Sequence, residues 1–226
     1  MSSSSGRLVT DERLSQFARL HRRSGDPLDG ARQLAERLRA ARLTRARLIL
    51  AKVVGDPGAA LLLPSAPRAG GPRVWVEPRT LSANLLRRRV RALGSHGREP
   101  LVVAAVAAAR FAGLDGPALA AAEGWLACPC PAHVDSAGLL AERPQAPDHP
   151  GDARAPARAL WAVAATLAAP DEITAKDRAI EAVQCASRVA GCEHEVRLRS
   201  RCGCDGPRNA GLDAAMRAAI RAWALR

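Results

Sequence analysis

A chain of 226 residues with 48% apolar side chains is long enough to bury a hydrophobic core, in one domain or two small ones. Aromatic residues are only 3%, Tyr is absent, and Ala, Leu and Arg dominate; this favours helix and leaves no alternating β-branched run of strand length. The net charge of +12 and the pI near 11 point either to an anionic partner or to codon usage in a GC-rich genome, since Lys52 and Lys176 are the only lysines and the arginines are spread along the chain.

In chain order, residues 1–9 read as a disordered polar tail without the apolar run of a secretory leader. A first helix is expected from Asp11 to about Arg23, on the spacing of Leu14, Phe17, Ala18 and Leu20. Gly25-Asp26-Pro27 stops it and starts the next, because Gly takes a left-handed turn, Asp caps, and Pro suits the first helical position. The second helix runs to about Ala41, with Leu28, Ala31, Leu34, Ala35 and Leu38 on one face and Arg32, Glu36, Arg37 and Arg39 on the other. A third helix from about Thr44 ends at Gly55-Asp56-Pro57, and a short apolar helix follows to Leu63. Residues 64–78 read as a Pro- and Gly-rich loop that tucks Trp75 back onto the core. The segment Thr80–Leu93 is expected to be helical, with Leu81, Leu85, Leu86, Val90 and Leu93 inward and Arg87, Arg88, Arg89 and Arg91 outward.

Leu101–Ala109 is apolar on every face of a helical wheel, which predicts a helix buried on all sides; Arg110 ends the run far short of the roughly 20 residues a membrane span needs. Gly113-Leu114-Asp115-Gly116-Pro117 turns the chain into a second apolar helix carrying Leu119, Ala122, Trp125 and Leu126. A short helix over about 132–142 follows, and the Pro-rich stretch 143–155 reads as a surface loop. Residues 156–169, a helix through Ala190 opened by a capping box at Thr174–Asp177, and an amphipathic helix from Leu212 to Leu225 complete the chain, with 191–207 irregular. The recurring Gly-Asp-Pro punctuation suggests degenerate helical hairpins. The expected fold is all-α, an irregular, solenoid-like stack of hairpins with about ten helices. Residues 10–142 form its core, and 156–226 pack on that same core.

Chemistry is sparse. Cys128-Pro129-Cys130 with His133, and Cys202-Gly203-Cys204 further on, could supply a tetrahedral zinc site, although paired zinc ligands usually keep two residues between them. Otherwise no cofactor is implied. Cys130 with His133 is the only close Cys–His candidate for nucleophilic catalysis. Arg87, Arg88, Arg89 and Arg91 form the densest basic patch, either a solvated face or a surface for phosphates, but no aromatic stacking platform accompanies them. With no leader and no membrane span, a cytoplasmic protein with reduced cysteines is expected.

The stretches ERLRAARLTRARLILAKVVGDPGAALLL, ALAAAEGWLACPCPAH and AAMRAAIRAWAL resemble Ala- and Arg-rich all-helical proteins, of HEAT-like or immunity type, from GC-rich bacteria. The likeness lies in the rhythm of helices over most of the chain. It implies a non-catalytic module acting on a protein partner, by neutralising or scaffolding; the strong basic charge departs from the pattern of many immunity proteins. A nucleic-acid binder and a Cys/His or zinc enzyme are the alternatives.

Overall fold

Eleven α-helices and no strand are found among the residues that the computed structural model describes, namely 4–63, 75, 81–142, 154–190 and 205–226, with side chains from Glu12 in the first helix and from Arg208 in the last. The helices are α1 (Ser4–Ser24), α2 (Pro27–Arg39), α3 (Arg45–Val53), α4 (Pro57–Leu62), α5 (Ala83–Leu93), α6 (Arg98–Phe111), α7 (Pro117–Ala127), α8 (Pro131–Ala141), α9 (Ala155–Ala168), α10 (Glu172–Val189) and α11 (Asp205–Ala224). Most of the 143–155 loop, most of the 64–78 loop and all but the end of the 191–207 stretch lie outside the described residues.

The helix ends follow the punctuation of the sequence. Asp26 and Asp56 cap α2 and α4, accepting hydrogen bonds from Leu28 N and Ala59 N, and Pro27 and Pro57 stand at the first helical positions. Gly55 and Gly113 take φ of +89° and +71° and close α3 and α6 with the same pair of bonds. In α6 these run from Gly113 N to Arg110 O and from Leu114 N to Ala109 O, satisfying two carbonyls that the helix leaves open. The end of α2 has this bond pattern without the glycine. Ala41 N reaches Leu38 O, Arg42 N reaches Arg37 O, and Ala41 sits at φ +54°, a conformation costly for a residue with a Cβ.

Four boundaries differ from expectation. Helix α1 begins at Ser4, seven residues before Asp11, so residues 4–9 of the stretch read as a disordered tail are helical. Helix α5 begins at Ala83, later than Thr80, because Ser82 is the cap and accepts from Leu85 N. Helix α10 opens at Glu172, because Asp171 is the cap: its carboxylate accepts from Thr174 N and Thr174 Oγ1, so Thr174 supports a helix start three residues before it. Helix α11 begins at Asp205, earlier than Leu212; the polar Asn209 ahead of Leu212 is buried and hides the inward face there.

The chain divides into two compact units, residues 1–76 with 221–226, and residues 77–220. The 10–142 segment therefore contributes helices to both.

In the first unit, α2 packs against α1 and α4, and α3 against α4. Trp75 is buried and its backbone N–H donates to Val53 O, as the apolar Val74-Trp75-Val76 step predicts. Small residues let α2 and α4 approach closely. A Cβ added at Gly58 would lie 3.0 Å from Ala31 N and from the Gly30 carbonyl carbon. In a helix, Gly→Ala ordinarily stabilises by about 0.5–1 kcal/mol. At this contact, Gly58→Ala is expected to destabilise by about 1–3 kcal/mol instead, because backbone has to move. A urea midpoint that rises on this substitution would show that the two helices do not touch here.

In the second unit, α6 is enclosed by α5, α7, α9 and α10, and α8 packs on α7 and α9. Every residue from Pro100 to Ala109 except Ala107 is buried, as its all-round apolar pattern predicts. The core around it joins Val102, Ala105, Val106 and Ala109 to Leu119, Ala122 and Trp125 of α7, to Ala162, Val163 and Leu167 of α9, and to Ala182 of α10. Polar ties bind the edges: Trp161 Nε1 donates to Ala141 O, and the Arg110 guanidinium grips both carboxylate oxygens of Glu123 across the α6–α7 hairpin.

Candidate functional site

A concavity of chemical interest belongs to the first unit. It is a groove of about 680 Å³ lined by Leu14, Ser15 and Ala18 of α1, Gln33 and Arg37 of α2, Arg42 after it, and Arg226. No Asp or Glu side chain is among these lining residues. The turn at Ala41 builds the site, because the Arg42 N to Arg37 O bond folds the chain back and brings the two arginines to one wall. Arg37 is half-buried and donates to the carbonyl oxygens of Leu225 and Arg226, which ties the last residues to α2. Arg47 stands over the Trp223 ring, 4.4 Å from its centroid. Desolvation lowers the pKa of Arg37 below the usual guanidinium value, and the positive charges of Arg42 and Arg47 lower it further. Arg42 and Arg47 thus add like charge beside a guanidinium that is already partly withdrawn from water.

The basic patch anticipated on α5 is only partly a surface. Arg87, Arg88 and Arg91 are exposed, and Arg87 donates to Asn84 Oδ1. Arg89 is buried instead, and its guanidinium pairs with Asp213 of α11, which is wholly buried. Arg217 also reaches Asp213 Oδ2, at 3.1 Å. The reason is geometric: Arg89 follows Leu86 by three residues and precedes Leu93 by four, so it shares their inward stripe. Beside this pair, Ser187 donates to Asn209 Oδ1 and Asn209 Nδ2 donates to Leu81 O, so α5, α10 and α11 meet through buried polar bonds.

Of the metal candidates, Cys128, Cys130 and His133 come together at the α7–α8 turn, with Cys130 Sγ 3.1 Å from His133 Nδ1. Cys202 and Cys204 lie outside the described residues. Among the described residues, no group of three or more His, Cys, Asp or Glu side chains is arranged to hold a metal ion. Among these residues, too, no helix is long and apolar enough to cross a membrane.

The residues that sequence reasoning passed over are Arg37, Arg42 and Arg226. Arg37 reads as part of a solvated helix face beside Arg32 and Arg39, and Arg226 is remote in sequence from both its groove partners. The available signal was the pair Arg37 and Arg42, five residues apart and bracketing a helix end. No family model, curated relative or solved structure matches the chain.

Proposed function

We propose that the protein is a non-catalytic interaction module that holds an acidic segment of a protein partner in the arginine-lined groove of its first unit, in a neutralising or scaffolding role. The observation that carries this reading is the composition of the groove wall: three arginines, of which Arg37 also donates to the Leu225 and Arg226 carbonyl oxygens, an apolar floor from Leu14 and Ala18, and, among the described residues, no Asp or Glu side chain. Such a surface matches a peptide that presents Asp or Glu beside apolar residues, because guanidinium forks pair with carboxylates while the floor takes the side chains between them. The exposed arginines of α5 support nucleic acid less well, since one of the four is committed to an internal ion pair.

The test uses fluorescent 12-residue peptides, one of alternating Glu and Leu and one of Lys and Leu, and a single-stranded RNA of equal length. The acidic peptide is expected to bind and to weaken with salt. The double variant Arg37→Ala, Arg42→Ala should lose about tenfold in affinity, or about 1.4 kcal/mol. RNA binding that survives this double variant, falls steeply with salt and is abolished by Arg87→Ala with Arg88→Ala and Arg91→Ala would overturn the proposal in favour of nucleic acid. Failure of all three probes to bind would also sink it.

A further inference from the structure

The α7–α8 turn holds a second chemistry, independent of the groove. Helix α7 ends at Ala127, the chain runs extended through Cys128, Pro129 and Cys130, and Pro131 opens α8. Cys130 is the N-cap residue, but its side chain caps no backbone amide. Its sulfur turns instead to His133, one turn into α8, at 3.1 Å from Nδ1. The imidazole is held in place from the other side by a missing side chain: a Cβ at Gly124 of α7 would stand 2.7 Å from His133 Nε2. The same Nδ1 lies 3.2 Å from the carbonyl oxygen of Cys128. Cys130 is half-buried at this turn, Cys128 is exposed and, among the described residues, has no imidazole hydrogen-bonded to its sulfur, and Cys185 is buried within α10.

We infer that Cys130 is a nucleophilic thiol whose proton His133 accepts, and that it exchanges with small disulfides to carry a mixed disulfide at the α7–α8 turn. As Sγ attacks one sulfur of the small disulfide, its proton passes to Nδ1. The new S–S bond forms while the original one breaks, and the departing sulfur takes the proton and leaves as a thiol. One disulfide is consumed and one formed, so no further oxidant is required. The Cys128 carbonyl stabilises the intermediate state, because the newly made Nδ1–H can donate to it. A thiol and a positioned base within hydrogen-bond reach is the arrangement that nucleophilic catalysis needs. The helix N-terminus adds a dipole that favours negative charge developing on sulfur.

The experiment treats the full chain with 4,4′-dithiodipyridine, quenches at intervals and resolves each cysteine by peptide mass mapping. Cys128 is the internal control. Although it is the more exposed, it is expected to react at least about tenfold more slowly than Cys130, the gain a positioned base provides. In denaturant the ratio should fall to about one, since only Pro129 separates the thiols and intrinsic reactivity is then shared. His133→Asn should bring Cys130 down towards the Cys128 rate, with helical content checked by circular dichroism. The wild-type ratio and its loss in denaturant need no variant, so a folding failure of His133→Asn leaves the test intact. A native ratio near or below one, or an unchanged ratio in a folded His133→Asn protein, would overturn the inference.

Discussion

Replacing Asp213 by Asn is expected to lower the free energy of unfolding by about 3–5 kcal/mol. The carboxylate is wholly buried, and both Arg89 and Arg217, themselves over nine-tenths buried, pair with it. Removing the anion leaves two guanidiniums facing each other in a site with little water, where repulsion is strong and the cost of desolvating them is no longer offset. The shape is nearly unchanged by Asn, so the loss reports charge, not a cavity. Arg89→Met should cost less, because Asp213 keeps Arg217. Single Ala substitutions at Arg87, Arg88 and Arg91, all exposed, should each stay within about 0.5 kcal/mol. Urea midpoints at constant slope measure all five. An Asp213→Asn loss no larger than that of the surface variants would mean that the pair is solvated in solution.

The second large effect concerns the core around α6, where substitutions of opposite sense should both destabilise. Leu119→Ala, at a position with no exposure, removes three carbons from the face where α7 meets α6 and α9; the expected loss is about 2–5 kcal/mol. Ala182→Leu adds three carbons to α10 where it faces the same cluster, 1% exposed, and is expected to cost about 1–3 kcal/mol despite the greater hydrophobicity of Leu. Alanines at 105, 122, 159, 162 and 182 are all buried, so the helices approach without long side chains to rearrange and an added branch has little space to enter. Thermal unfolding distinguishes this from a loosely packed core. A higher midpoint for Ala182→Leu would show that a cavity is available there.

Much of the fold was legible because its signals are local. Gly, Asp and Pro at the α1–α2 and α3–α4 junctions act within four residues, and the unbroken apolar run of α6 admits few arrangements other than burial on all sides. Trp75 could be placed because an aromatic residue in an apolar step has a strong incentive to leave water. The signals that failed are those that need a distant partner. The assumption that arginine points outward overrode the spacing of Arg89 with Leu86 and Leu93, and nothing within reach along the chain announces Asp213, 124 residues away. The start of α11 was missed for the same reason: Asn209, which precedes Leu212, looks like part of a solvated turn until its partners Ser187 and Leu81 are known. The groove was hidden because it depends on a left-handed alanine and on Arg226, neither of which has a sequence signature.

The buried charge also fixes the register of α11. Its apolar stripe, Leu212, Met216 and Ile220, repeats every four residues, so hydrophobic packing alone would accept a slide of one turn, about 6 Å, in either direction. Such a slide would set Arg217 or Asn209 where Asp213 now sits, opposite Arg89. One direction brings two cations together and the other leaves a guanidinium without its carboxylate. The apolar residues hold the helix down, and a single acid decides where along its length it stops.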